Sequence, residues 1–262
     1  MTRSPPFRLA AASLSGRSDA DWARGALPHV GAAFLGGIAL DGPTRAAARA
    51  MVDREREEFL PRDPLAFLDD QLGALADAPL LAGVNVRAVE PDAVREAAGV
   101  CAAHGAVLEV NAHCRQAEMC AAGAGESLLR EGDRLAEQVA AAAGVGATVS
   151  VKVRTEVDGV DLPALAAGAA DAGASIVHVD AMDSEPVVAD LVGALGGDPA
   201  SPPDDDRAAL VVANNGVRDR ATVREYLGHG ADAVSVGRPS DDPAVLARVR
   251  SAVDDWFAEV PA

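Results

Sequence analysis

A chain of 262 residues that is 49% hydrophobic can bury a sizeable core, and its length suits one α/β barrel or two small domains. The formal charge of −17, from 23 basic and 40 acidic side chains, and an aromatic content of 3% count against a stacking platform for single-stranded nucleic acid, while leaving RNA itself open. Three cysteines, Cys101, Cys114 and Cys120, are an odd number without CxxC spacing, which indicates neither a disulfide framework nor a metal site and fits a reducing cytoplasm.

In chain order, the opening MTRSPPFRLAAASLSG has an apolar run too short and too interrupted for a signal peptide or a membrane span. It reads as a first strand, 8-RLAAAS-13, followed by 30-VGAAFLG-36. The run 53-DREREEFLPRDP-64 reads as a solvated helix with a proline stop, a rim over whatever lies above the sheet. After 80-LLAGVNV-86, the segment 91–105 opens on Pro-Asp and closes on Gly, as an amphipathic helix does. The remaining strands are 106-AVLEV-110, 147-ATVSVKV-153, 175-SIVHVD-180, 209-ALVVAN-214 and 232-DAVSV-236. The Pro-, Gly- and Asp-rich insert 196–207 reads as a surface excursion, and 243–262 leaves room for one closing helix. Eight strands alternating with helices imply a parallel sheet, and this length predicts a single-domain (β/α)8 barrel over residues 1–262.

In such a barrel the active site is built from the C-terminal ends of the strands. The polar residues there are Ser15 and Gly16, Asn85, Asn111 and Cys114, Lys152 and Arg154, His178 and Asp180, Asn214, Asn215 and Gly216, and Gly237 with Arg238. Lys152 stands out as the one lysine in the chain, set inside an apolar strand. A cation that merely reached for solvent would be served equally by arginine, so a compact ammonium is required there. After strands seven and eight, 214-NNGV-217 and 236-VGRP-239 combine glycines for close backbone approach with one arginine, the pattern of a phosphate site. Cys101 falls at an apolar helix position and Cys120 reads as helix packing, while His29, His104 and His229 flank strand starts, away from chemistry.

These residues resemble the tRNA-dihydrouridine synthases, flavin-dependent barrels related to dihydroorotate and dihydropyrimidine dehydrogenases. The stretch 111-NAHCRQAEMCAAGAGESLL-129 matches their strand-four motif without a gap at Asn111, Cys114, Gly123, Gly125, Leu128 and Leu129. Further matches are 151-VKVR-154, 214-NNGV-217, Gly237-Arg238, Asn85 six residues before Pro91, and 13-SLSGRSD-19. A closer likeness is to short archaeal barrels related to this family, and the evenly spread acidic surface resembles proteins of salt-loving archaea.

The resemblance implies FMN as cofactor and NAD(P)H as electron donor. It places the FMN phosphate at Asn214, Asn215, Gly216, Gly237 and Arg238, with Ser15, Gly16, Asn85 and Lys152 along the ring. Cys114 would be the proton donor, Asn111 would position substrate, and Asp180 would take the place of the family's strand-six histidine, with His178 as the competing position. Departures from the pattern are His113 and Arg115, which flank the cysteine where the family has glycine and proline, and Asn215, which stands where it has glycine. The helical RNA-binding domain that follows the barrel in tRNA-modifying members has no counterpart in 243–262. Two functions are therefore expected: reduction of uridine in tRNA, aided by an RNA-binding partner, or oxidoreduction of a free pyrimidine or similar small molecule. A barrel that binds without catalysing is the third class.

Overall fold

The computed structural model describes residues 7–200 and 207–259. Its elements follow in order: β1 (Leu9–Ala11), α1 (Ala20–Ala26), β2 (Ala32–Ala39), α2 (Gly42–Val52), α3 (Pro64–Gly73), β3 (Leu81–Arg87), α4 (Pro91–Ala103) and β4 (Val107–Asn111). Then come α5 (Ala117–Ala121), α6 (Gly132–Ala143), β5 (Thr148–Arg154), α7 (Leu162–Asp171), β6 (Ala174–Asp180), α8 (Val187–Ala194), β7 (Leu210–Asn214), α9 (Arg220–Gly228), β8 (Ala233–Val236) and α10 (Pro243–Glu259). Each strand pairs in parallel with its sequence neighbours, and β8 closes on β1, so the eight strands form one barrel. This is the predicted (β/α)8 fold.

Period-two alternation sorts the side chains into two cores. On β5, Val149, Val151 and Val153 face the helices and join the main hydrophobic cluster, which leaves Ser150, Lys152 and Arg154 for the interior of the barrel. A second, smaller cluster of Phe7, Ala10, Ala32, Phe34, Val107, Ile176, Val212 and Ala233 fills the interior at the N-terminal ends of the strands. Phe34 is its centrepiece, with Phe7 edge-on at 6.5 Å between ring centroids. Gly83 makes room for it: a Cβ there would stand 2.5 Å from the Phe34 ring. The barrel is thus plugged below and polar above.

Several helices start on an aspartate. Asp19, Asp41, Asp63, Asp161 and Asp219 each accept a hydrogen bond from a first-turn N–H, so part of the acidic excess serves as helix caps. The predicted strands recur with their ends moved by at most three residues, those at Asp180, Asn214 and Val236 unmoved, and β1 is shorter than 8–13. Several run one residue further than the apolar pattern, ending on Arg87, Asn111 and Arg154, because these polar side chains are themselves buried inside the barrel.

The expected helix over 53–64 does not form. α2 ends at Val52, Glu55 has a left-handed φ of 62°, and the chain crosses the barrel mouth in extended form until Asp63 caps α3. A buried ion pair holds this crossing: Glu58 meets Arg87 at 2.6 Å, both nearly inaccessible. The rim was legible, and its lack of a helix was not. The insert 196–207 is likewise more than a solvated excursion, since Arg207 forms a buried ion pair with Asp232 at 3.0 Å; residues 201–206 lie outside the described residues. Cys101 is core, its thiol pushed up to about 12 by burial. No helix among the described residues is long and apolar enough to cross a membrane.

Candidate active site at the barrel mouth

The interior side chains above the plug are polar, and they satisfy one another in a connected network. Glu109, fully buried, lies at its centre: it accepts from Asn85 Nδ2 at 2.8 Å and Ser150 Oγ at 3.1 Å, and its Oε2 lies 2.7 Å from His178 Nδ1. The other ring nitrogen, His178 Nε2, is 2.7 Å from Ser235 Oγ, which also accepts from Asn214 Nδ2 at 2.8 Å. These contacts have Nδ1–H donating to Glu109, and Nε2 shares a hydrogen bond with the Ser235 hydroxyl in either direction according to the ring's protonation. Burial and the Lys152 charge lower the His178 pKa against the pull of Glu109 and Asp180. Burial pushes the Glu109 carboxyl up, but the His178 ring, the Lys152 charge and the Asn85 amide outweigh it and hold the group at about 2.

The network continues upward into the loop that carries the cysteine. Asn111 Nδ2 donates to Asn85 Oδ1 at 2.7 Å, and Asn111 Oδ1 accepts from the backbone N–H of Cys114 at 3.0 Å and of His113 at 3.3 Å. From the other side Glu126 N–H donates to the Cys114 carbonyl at 2.9 Å. Gly125, at φ +64°, lets the two segments close, because a Cβ there would lie 2.4 Å from the Cys114 carbonyl oxygen. Asn111 and the glycines of the 111–129 motif are therefore explained by the turn they build.

Above this floor is a cavity of about 360 Å³. Ser15, Asn85, Asn111, Cys114, Asp180, Asn215 and Arg238 line it, together with His113, Arg56, Arg87, Arg115 and Arg154. Lys152 lies beneath, 2% exposed, paired in register with Asn111 on one side and His178 on the other. Among the described residues its ammonium makes no hydrogen bond and no ion pair, and it does not line the cavity. Burial lowers its pKa, opposed by the charges of Glu109 and Asp180. Asp180 faces His113 Nδ1 at 3.7 Å, while its Oδ1 is buried without a partner. Burial raises the Asp180 carboxyl, yet His113 and Lys152 outweigh that and hold it below its ordinary value. His113 is kept neutral, its pKa lowered to about 4 by burial and by the Lys152 charge, against the pull of Asp180.

Of the residues singled out in sequence, Asp180 rather than His178 reaches the cavity, while His178 is locked in the network below. Asn214 is buried against Ser235. Gly16 packs on the Glu57 backbone, and neither Gly216 nor Gly237 lines the cavity. Sequence reasoning missed Glu109, hidden in an apolar run, and the arginines Arg56, Arg87 and Arg115. Period two offered a signal for Glu109, which shares a strand face with Asn111. A larger groove, of about 660 Å³, between α4 and α6 is flanked by Glu90, Asp92, Arg95 and Glu137, and no strand end reaches it.

The charge balance of the mouth is unusual for a chain of net charge −17. Arg87 is matched by Glu58 and by Ser15 Oγ, and Arg154 by Glu126. Arg56, Arg115 and Arg238, all at the cavity, have no carboxylate within ion-pair distance among the described residues. Two observations bear on the expected FMN. Arg238 and Asn215 line the cavity where its phosphate was expected, but Met182 is the one apolar wall residue besides Cys114 on which a flat tricyclic ring could rest.

Fold and site together define a parallel (β/α)8 barrel with a polar, arginine-rich mouth at the C-terminal strand ends. No family model matches the chain. It is 27% identical over 149 residues to the uncharacterized protein MJ0144 of Methanocaldococcus jannaschii, a match spanning 56% of this chain and 58% of that protein. Among solved structures it is similar to a Burkholderia cenocepacia protein described as a lyase/mutase, at TM-score 0.58 and 17% identity, covering 99% of this chain and 90% of that one. It is also similar to the tryptophan synthase complex of Pyrococcus furiosus, at TM-score 0.57 and 13% identity, covering 98% and 100% of the two chains. A third is 2,3-dimethylmalate lyase, a member of the PEP mutase/isocitrate lyase superfamily, at TM-score 0.56 and 12% identity, covering 97% and 84%. Identities this low establish the barrel alone.

These comparisons overturn the expected kinship with tRNA-dihydrouridine synthases and the flavin-dependent uracil reduction that went with it: the similar barrels carry lyase, mutase and synthase names. The physical reason lies in the motif itself. Asn111 and Gly125, which carried the resemblance, shape a tight turn around Cys114, and that turn is compatible with more than one chemistry.

Proposed function

We propose that the barrel mouth is the active site of an enzyme acting on a small anionic substrate, one with a carboxylate or phosphate near a carbonyl, and that it moves a proton at the carbon beside that carbonyl. The observation that carries this reading is Asp180, with a free oxygen, lining a cavity whose Arg56, Arg115 and Arg238 lack carboxylate partners, while the buried Lys152 lies in the adjacent strand with no side-chain hydrogen bond or ion pair among the described residues. Arg56, Arg115 and Arg238 hold the anion by charge-assisted hydrogen bonds. Asp180 takes the proton, since its lowered pKa keeps it ionised at neutral pH, and His113, neutral beside it, passes the proton on. Lys152 supplies positive charge below the substrate, where electrons collect as the proton leaves. The lyase name of the 2,3-dimethylmalate enzyme, whose substrate is a small dicarboxylate, supports the substrate class by analogy of fold only.

The test is calorimetric titration with small 2-oxo acids, dicarboxylates, phosphate esters and FMN, followed by proton NMR of the bound compounds in D2O. The expected result is binding of an anionic carbonyl compound, weakened about tenfold by Arg238→Ala, the loss of about one ion pair or 1.4 kcal/mol. Deuterium should enter the carbon beside the carbonyl with wild type and not with Asp180→Asn. Binding of FMN without any deuterium uptake by the acids would overturn the reading.

A further inference from the structure

Every cation of the chain other than Lys152 that comes from Lys or Arg is an arginine, including the five that line the cavity, whereas Lys152 lies in the strand between Asn111 and His178 and is not itself a lining residue. A role in charge alone does not explain the exception. A guanidinium stays protonated and is no nucleophile, whereas an amine that loses its proton attacks carbonyl carbon. The surroundings of Lys152 are arranged to leave that amine uncommitted. Its register neighbour Asn111 uses its amide on Asn85 and on the Cys114 backbone, and its other neighbour, His178, uses both ring nitrogens on Glu109 and Ser235. Lys152 is left 2% exposed, its side chain without a hydrogen bond or ion pair among the described residues. Two residues further along the adjacent strand from His178, in register with Arg154 and beyond ion-pair distance of the Lys152 ammonium, stands Asp180 with its unpartnered Oδ1.

We infer that Lys152 is a covalent catalyst that condenses with the carbonyl of a small 2-oxo acid to form an imine, its carboxylate held by the arginines of the mouth. This rests on the reading of the mouth as a site for a small anionic substrate, and it gives that reading its electron sink. The step balances without an outside reagent. The ammonium hands one proton to Asp180, and the free amine lone pair forms the C–N bond as the carbonyl π pair moves to oxygen. That oxygen takes up two protons, one from the nitrogen through Asp180 and one returned by Asp180 itself, and leaves as water. The nitrogen lone pair closes the C=N bond, so ammonium plus carbonyl gives iminium plus water. The iminium then withdraws electrons from the neighbouring carbon far more strongly than a nearby charge does. Burial, which lowers the pKa of Lys152, favours the free amine that starts the sequence.

Wild-type protein is incubated with pyruvate, or with 2-oxoglutarate, and sodium cyanoborohydride, then analysed by intact mass and by peptide mapping, with binding of the same acid measured by calorimetry in parallel. Lys152 holds the only side-chain amine, so mapping needs to distinguish it from the amino terminus alone. The expected result is one reduced adduct on the Lys152 peptide, formed at least about a hundredfold more slowly in Asp180→Asn, the loss of one proton-transfer partner. Lys152→Arg keeps the positive charge and should abolish both the adduct and deuterium exchange while still binding the acid. An acid that binds wild type without giving an adduct on Lys152 overturns the imine and leaves the anion site standing. Failure of every such acid to bind overturns both. Full deuterium exchange by Lys152→Arg would show that charge suffices and would likewise overturn the imine.

Discussion

Replacing Glu109 with glutamine keeps the shape of the central side chain and removes its charge. Three hydrogen bonds reach this carboxylate, from Asn85, Ser150 and His178, and none of its surface meets solvent. A hydrogen bond to a charged acceptor exceeds a neutral one by about 1 kcal/mol, so three such bonds lose about 3 kcal/mol in Glu109→Gln. Protonation leads to a similar size: the carboxyl is lowered from 4.5 to about 2, and about 2.5 pH units at about 1.4 kcal/mol each gives about 3.5 kcal/mol. Because the folded carboxyl titrates lower than the unfolded one, this stability is present above pH 4.5 and is lost as pH falls toward 2. Urea unfolding followed by the fluorescence of Trp22 and Trp256 should show the variant less stable by that amount at pH 7, at unchanged m-value. The deficit should hold constant down to about pH 5 and shrink below it. Equal midpoints at pH 7, or a deficit that does not change between pH 7 and pH 3, would refute the argument.

Glu58→Gln leaves Arg87 buried without its counter-charge and should destabilise by about 3 kcal/mol in urea, with Arg87→Met in the same chain recovering part of the loss. Gly125→Ala forces a side chain into a left-handed position against the Cys114 carbonyl. It should cost about 2 kcal/mol by thermal unfolding and weaken binding of small anions at the mouth. With its thiol pushed up to about 12 and fully buried, Cys101 should stay unreactive toward a disulfide reagent at pH 8 until urea unfolds the chain, while half-buried Cys120 reacts in the native state.

Strand alternation made the barrel legible, because a parallel strand buried on both faces leaves a continuous apolar run and ends where polar side chains enter the mouth. The same rule exposed Lys152, Asn111 and Asp180. It concealed Glu109, since one charged residue inside AVLEV does not break the run, and only its alternation with Asn111 marks it as inward. Arg87 and the crossing at 53–63 were illegible for a different reason: the partner that orders them, Glu58, is 29 residues from Arg87, and local pattern carries no record of that pairing. Gly216 and Gly237 read as a phosphate cradle, but the chain uses Gly216 for a left-handed turn, and the cavity takes Asn215 and Arg238 instead. The motif around Cys114 misled about chemistry because it encodes a backbone turn.

The phenylalanine plug beneath His178 has a consequence for traffic. With Phe34 against the His178 ring, at 5.3 Å between centroids, and the aliphatic cluster below it, the interior of the barrel is a vessel stoppered at one end. Whatever enters at the arginines leaves by the same door, and so does any water made inside. On the proposed chemistry, a proton shed at Lys152 meets apolar side chains below the His178 network, and Asp180 and His113 stand between it and the mouth. Those two side chains therefore share one opening with the substrate, and proton and substrate have a single route in common.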